Sequence, residues 1–135
     1  MTPTEKTCLI VDDDAPVADA IFKMVSALLP KDWSAAVTTE PELARELLLG
    51  DASIGMAFVD ICMPGLSGVV LIEQVIEGRP ALRGKIVVCS GGILTEIQER
   101  VLFVELGCLA LPKPFHFEDL EKILSAILMP SSFEP

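Results

Sequence analysis

Five polar side chains stand where short apolar runs of this sequence end. They are Asp12 and Asp13 after the run 8–11, Asp60 at the end of the run 57–60, Ser90 after 85–89, and Lys113 after 108–112. In open sheets of parallel strands, ligands and chemistry gather outside the carboxyl ends of the strands. We therefore expect these five side chains to share one site.

The three carboxylates of this set favour a divalent cation. Acidic groups that converge at one sheet edge repel one another, so at neutral pH either one of them takes up a proton or a cation joins them. Magnesium prefers carboxylate and carbonyl oxygens together with water and phosphate oxygens. The sequence therefore predicts a Mg²⁺ site formed by Asp12, Asp13 and Asp60, with the backbone carbonyl of Cys62 as a further ligand.

A carboxylate beside magnesium, with a lysine and a hydroxyl facing it, can receive a phosphoryl group. Asp60 can attack phosphorus, while Lys113 and the metal neutralise charge on the equatorial oxygens and Ser90 donates a hydrogen bond to one of them. Asp14 has a different predicted role, because an aspartate directly before a helix is a typical N-cap. His116 is interpreted as part of the start of the last helix.

The elements that position these residues alternate along the chain. Predicted strands cover 7–11, 35–37, 54–59, 85–89 and 108–111, and predicted helices cover 16–30, 41–50, 67–77, 94–106 and 117–128. Such alternation predicts an α/β fold, a doubly wound (βα)5 domain with a five-stranded parallel sheet and helices on both faces. In the flavodoxin-like strand order 2-1-3-4-5, the ends of strands one and three are neighbours, which brings Asp12, Asp13 and Asp60 together.

Composition limits the classes of function. The 135 residues suit a single domain, with a core over about 6–128 and a tail at 129–135. A formal charge of -10 argues against direct binding of nucleic acid, and no apolar run reaches membrane-spanning length, so we expect a cytoplasmic protein without membrane insertion. The four cysteines are widely spaced and form no zinc motif, so we expect them to be reduced.

Four motifs resemble the receiver domain of bacterial two-component response regulators, in particular the single-domain receivers of chemotaxis. They are LIVDDD at 9–14, VDICMPGLSG at 59–68, VCSGG at 88–92 and LPKPF at 111–115. The resemblance implies that Asp60 is the phosphoacceptor, that Asp12, Asp13 and the Cys62 carbonyl hold magnesium, and that Ser90 is the switch hydroxyl. Lys113 is then the lysine that contacts the phosphoryl group.

The resemblance also implies partners and a way of signalling. A sensor histidine kinase or a phosphotransfer protein would donate the phosphoryl group, and a downstream protein would read a surface formed by helix four, strand five and helix five. The protein would then be a signalling phosphoacceptor rather than an enzyme, although it assists its own phosphorylation and dephosphorylation. A homodimer stays open, as does the choice between a stand-alone receiver and one excised from a longer protein.

One position departs from the family pattern. Receivers commonly have Tyr or Phe three residues before the lysine, where this chain has Ala110, so the aromatic half of the usual switch is absent. Phe103 and Val104 are adjacent on helix four, and we expect one of them to be exposed. The resemblance also implies that Cys62 and Gly92 occupy the positions at which the family tunes loss of the phosphoryl group, and their small side chains do not indicate its lifetime.

Two alternative functions remain. A phosphatase of the haloacid dehalogenase type would use Asp12 as its nucleophile within an Asp12-x-Asp14 motif, but it leaves Asp60 unexplained. A receiver fold that serves only as a binding module, without phosphorylation, is favoured by Ala110 and opposed by the three acids, Ser90 and Lys113.

Overall fold

The computed structural model describes residues 6–62, 67–92 and 94–128. Five parallel strands form one sheet in the order β2-β1-β3-β4-β5, as predicted. The strands are β1 (Thr7–Val11), β2 (Ser34–Thr38), β3 (Ile54–Asp60), β4 (Ile86–Ser90) and β5 (Leu109–Pro112). The helices are α1 (Ala15–Leu28), α2 (Pro41–Gly50), α3 (Gly68–Gly78), α4 (Glu96–Glu99, continued by a π-helical segment over Arg100–Glu105) and α5 (Phe117–Leu128), with a 3₁₀ turn at Pro80–Leu82.

Two apolar layers hold the helices against the sheet. Every residue of β3, the central strand, is buried, as a parallel strand covered on both faces requires. Alternate residues of this strand serve opposite layers: Val59 packs in the layer of α2, α3 and α4, and Phe58 packs in the layer of α1 and α5. The two layers fix β3 rigidly, and Asp60 is its last residue.

Capping residues set where α1 and α3 begin. The Asp14 carboxylate accepts a hydrogen bond from the backbone N–H of Val17 at 3.3 Å, which confirms its predicted role as the N-cap of α1. The Ser67 hydroxyl accepts from the N–H of Val69 at 3.2 Å and caps α3 in the same way. Positions 63–66 of the motif at 59–68 and the predicted tail at 129–135 lie outside the described residues.

Helix four differs from the prediction of a regular α-helix over 94–106. A capping box between Thr95 and Gln98 begins it, one α-helical turn follows, and the chain then widens into π-helix, with the Leu106 N–H bonded to the Val101 carbonyl at 2.9 Å. Gly107, at φ +70, ends the segment in a left-handed conformation. Apolar spacing over six residues does not separate a period of 3.6 from the wider π period, so the sequence pattern could not indicate the change.

Strands three, four and five each end one residue later than predicted. Asp60 and Ser90 are therefore the last residues of β3 and β4, and Lys113 directly follows β5. Pro112 lies within β5, which is tolerated because β5 is an edge strand.

Among the described residues, no helix has both the length and the apolar character needed to cross a membrane.

Candidate functional site

The strand register brings the predicted site residues to one edge of the sheet. Val11 pairs with Val59, so Asp12 and Asp60 each come directly after one member of that pair. Ser90 pairs with Pro112, which directly precedes Lys113. The Lys113 backbone N–H also donates to the Ser90 carbonyl at 2.7 Å.

Asp12 is a buried carboxylate whose two oxygens both have partners. Only 1% of the residue is exposed. Oδ1 accepts the backbone N–H of Asp14 at 3.0 Å, and Oδ2 accepts from the Lys113 ammonium at 2.7 Å. The hydrogen bonds and the ion pair compensate for the removal of this charge from water.

Asp60 is also buried, at 7% exposure, and is less completely paired. Its Oδ1 accepts the Cys62 N–H at 3.0 Å, whereas its Oδ2 lies 3.6 Å from the Lys113 Nζ. Burial raises the pKa of the Asp60 carboxyl, and the nearby Asp12 charge raises it further, although the Cys62 N–H and Lys113 act in the opposite direction. The Asp60 carboxyl is therefore more easily protonated than an aspartate in water.

Lys113 reaches across the site from β5. Its side chain is 21% exposed, and its ammonium lies between the carboxylates of Asp12 and Asp60. Burial alone would lower the pKa of Lys113, but the hydrogen bond to Asp12 and the charges of both aspartates raise it above the ordinary value. The side chain is therefore a fixed positive charge at neutral pH.

Asp12, Asp13 and Asp60 form an acidic cluster. Each offers one oxygen, and the three oxygens lie within 4.8 Å of one another, with Asp13 exposed to solvent. Hard carboxylate oxygens with one solvent-facing member suit magnesium, which keeps several waters in its shell. These donors fit the predicted ion. The Cys62 carbonyl stays a predicted ligand.

Ser90 lies at the end of β4 with 8% exposure. Its hydroxyl donates to the Gly92 carbonyl at 3.2 Å and accepts from the Gly92 N–H at 3.3 Å. Both bonds are long and lie within the Ser90 loop, so the hydroxyl makes no described contact with Asp60.

Gly68 contributes to the site in a way that sequence reasoning missed. A Cβ at this position would lie 2.7 Å from the Ile61 Cα and 2.9 Å from the Asp60 carbonyl oxygen. The first turn of α3 therefore approaches the chain just beyond Asp60 closely enough that only glycine fits. The sequence feature that indicates this constraint is a glycine at the first position of α3, directly after the Ser67 N-cap.

The remaining residues considered from the sequence lie elsewhere. The backbone N–H of exposed His116 donates to the Asp119 carboxylate at 2.8 Å, and the His116 carbonyl accepts from Asp119 and Leu120, which places it at the start of α5 as interpreted. Cys8, Cys89 and Cys108 are buried free thiols, and burial raises the pKa of Cys89 to about 12. Cys62 is exposed, and Asp14 caps α1.

Comparison with known proteins identifies the fold. No family model matches the chain, and no curated protein matches it in sequence. Solved structures do match it. A CheY-like response regulator receiver domain protein from Methanospirillum hungatei JF-1 superposes with a TM-score of 0.79 at 20% identity, over 96% of this chain and 98% of that one.

A response regulator receiver protein from Pseudomonas putida matches with a TM-score of 0.73 at 28% identity, over 93% of this chain and 98% of that one. A CheY-like receiver domain from Methylobacillus flagellatus matches with a TM-score of 0.72 at 24% identity, over 90% and 98%. The chain thus has the fold of CheY-like response regulator receiver domains, and the resemblance predicted from its motifs is confirmed at the level of the fold.

Proposed function

We propose that this protein is the phosphoacceptor receiver of a two-component signalling system, with Asp60 as the residue that becomes phosphorylated. The observation that carries the proposal is the position of the Lys113 ammonium, 2.7 Å from Asp12 and 3.6 Å from Asp60. The receiver fold of the chain adds to this support.

Chain residues supply most of the chemistry. An Asp60 oxygen attacks phosphorus, a new O–P bond forms, and the N–P bond of a phosphohistidine donor breaks with its electron pair leaving on the imidazole. Lys113 balances charge on the phosphoryl oxygens, and Ser90 turns from Gly92 to donate a hydrogen bond to one of them. The fixed strand ends pre-position Asp60 and Lys113, and Ser90 lies at the end of the neighbouring strand β4.

Asp12, Asp13, Asp60 and the Cys62 carbonyl are the residues that would hold magnesium. When bound, the ion supplies positive charge for the acidic cluster and the incoming phosphoryl group. Of these acids, Asp13 is exposed, whereas Asp12 and Asp60 are buried.

The proposed partners follow from this chemistry. A sensor histidine kinase or a phosphotransfer protein donates the phosphoryl group, and a downstream protein reads the altered surface. The formal charge of -10 opposes direct binding to nucleic acid. We place the protein in the cytoplasm as a signalling protein rather than a classical enzyme.

Intact-mass analysis after incubation with acetyl phosphate and Mg²⁺ tests the proposal. We expect one phosphoryl adduct on the wild type and none on Asp60→Asn, which keeps the shape of the side chain and removes its nucleophilic charge. Chelation of Mg²⁺ is expected to suppress the adduct. Absence of any adduct on the wild type would contradict the proposal.

A phosphorylation-independent binding module is the second candidate, favoured by Ala110. Such a module has no need of a cation site. Titration with Mg²⁺ separates the two functions, because the phosphoacceptor is expected to bind the ion in about the millimolar range, as open carboxylate sites do, and the module is not. The phosphatase alternative is weaker, because Asp14 of its Asp12-x-Asp14 motif serves as the helix cap.

A further inference from the structure

A cavity of about 350 Å³ lies beside Ser90, between helix four and β5. Its walls include Ser90, Leu94, Phe103, Ala110 and Leu111. Ala110 contributes only a methyl group to the wall on the β5 side, where receivers commonly have an aromatic ring. Phe103, from helix four, is the one aromatic residue among the described residues that line the cavity.

Phe103 is only partly buried. It packs against the apolar layer that contains Val88 and Leu102, while Val104, the next residue, is 74% exposed. This outcome agrees with the expectation that one of the two adjacent residues would be exposed. The Phe103 ring thus contacts the core on one side and lines the cavity beside Ser90.

The backbone that carries Phe103 is unusual. Phe103 lies within the π-helical segment over Arg100–Glu105, where hydrogen-bond geometry departs from that of an α-helix. Such segments are rare and frequently occur at functional sites, where the backbone changes its hydrogen-bonding register. The ring therefore stands on a part of helix four that can rearrange without breaking a long regular helix.

We propose that Phe103 is a positioning residue that couples Ser90 to helix four. The inference rests on the proposed function, since it requires a phosphoryl group on Asp60. When the Ser90 hydroxyl exchanges its two long bonds to Gly92 for one to the phosphoryl group, it withdraws from the cavity wall. The Phe103 ring then moves into the enlarged space, and helix four moves with it.

Few other side chains in the cavity wall could fill the space that Ser90 leaves. Ala110 is too short to cross the cavity, and Leu111 is buried and held within β5. A water-filled apolar space next to a partly buried ring is less favourable than the same space occupied by the ring. The coupling therefore runs from β4 to helix four through a side chain of helix four itself.

Hydrogen exchange of residues 96–106, measured before and after phosphorylation with acetyl phosphate and Mg²⁺, tests this coupling. We expect Phe103→Ala to accept the phosphoryl group as the wild type does, with a change in helix-four exchange about fivefold smaller. Val104→Ala is the matched control, because it shortens an apolar side chain on the same turn that does not line the cavity, and it is expected to keep the full change.

A second variant tests the same coupling without removing the ring. Ala110→Leu fills the cavity from the β5 side, so it is expected to block the ring and reduce the helix-four change, whereas Ala126→Leu on the exposed side of α5 is expected to leave it intact. This variant keeps the test valid if Phe103→Ala does not fold.

The outcomes separate the two proposals. A phosphoryl adduct with an undiminished helix-four change in both Phe103→Ala and Ala110→Leu would overturn the coupling and leave the phosphoacceptor function standing. No adduct on the wild type would overturn the phosphoacceptor function, and the coupling with it.

Discussion

The Lys113 ammonium donates a 2.7 Å hydrogen bond to the carboxylate of Asp12, 101 residues earlier in the chain, and lies 3.6 Å from Asp60. One lysine thus balances two buried acids that belong to neighbouring strands. A metal ion at the acidic cluster must share Asp12 with this ammonium. The pair therefore affects both the cation affinity and the electrostatics that a phosphoryl group would meet.

Replacement of Lys113 by Gln is expected to strengthen Mg²⁺ binding and weaken phosphorylation. Removal of the lysine charge beside the acidic cluster removes a repulsion between Lys113 and Mg²⁺. The affinity for Mg²⁺ should therefore rise about tenfold. The same loss leaves phosphoryl oxygens without a partner, so the yield of adduct falls. Isothermal titration with Mg²⁺ and intact-mass analysis measure the two effects separately.

Lys122→Gln provides the control for this charge change, because Lys122 is exposed on α5. We expect Lys122→Gln to change neither the Mg²⁺ affinity nor the yield of phosphoryl adduct, apart from a small long-range electrostatic effect. Unchanged or weaker Mg²⁺ binding in Lys113→Gln would show that the ammonium does not compete for the acidic cluster.

Asp60→Asn is expected to stabilise the protein at neutral pH when no divalent cation is present. Burial raises the pKa of Asp60 in the folded state, so the charged form costs folding free energy. Below the pKa that Asp60 has in the unfolded chain, the carboxyl is protonated in both the folded and the unfolded state, and the folding free energy is unaffected. The folding penalty grows as the pH rises from there through the higher pKa of the folded state. We expect the variant to be about 1 kcal/mol more stable at pH 7, with the difference fading towards pH 4.

Urea denaturation at several pH values measures this difference. Asp19→Asn, an exposed position that forms a surface ion pair with Lys23, is expected to show little change. Saturating Mg²⁺ is expected to reverse the order, since an ion that binds only the folded wild type stabilises it. If Asp60→Asn is less stable than the wild type at pH 7 without divalent cations, then the Asp60 charge does not destabilise the folded state.

Gly68→Ala is expected to destabilise the protein by about 2 kcal/mol, because its Cβ would lie 2.7 Å from the backbone at Ile61. Relief of this clash moves the chain that follows Asp60, so Mg²⁺ affinity should fall as well. Thermal unfolding and Mg²⁺ titration check the two effects.

Gly50→Ala is the matched control, since a Cβ there meets nothing within 4 Å and the residue ends α2. It is expected to be neutral or to stabilise by up to about 1 kcal/mol. Equal behaviour of the two alanine variants would show that α3 tolerates a side chain against the end of β3.

Much of this architecture could be predicted from the sequence. Runs of apolar residues that end in Asp12, Asp60, Ser90 and Lys113 indicate both the parallel strands and the edge where these residues meet, since local pattern and topology agree. The Asp14 cap was predicted for a similar local reason. All of these depend on short stretches of chain.

Other features depend on contacts that no local pattern contains. The Lys113 ammonium lies closer to Asp12 than to Asp60, although β1 and β5 are separated by two strands, so this pairing depends on how the long lysine side chain crosses the folded site. The constraint on Gly68 arises from the approach of α3 to Ile61. The π-helical turn around Phe103 has an apolar spacing that a regular helix would share, so only the folded backbone distinguishes them.

The most direct test of the central claim is the location of the acyl phosphate. Reduction of the phosphorylated protein with borohydride converts an aspartyl phosphate to homoserine, which peptide mass spectrometry assigns to one position. The account predicts homoserine at position 60 alone, dependent on Mg²⁺ during phosphorylation. Homoserine at position 12 would favour the phosphatase alternative, and homoserine at neither position would contradict a phosphoacceptor role for this chain.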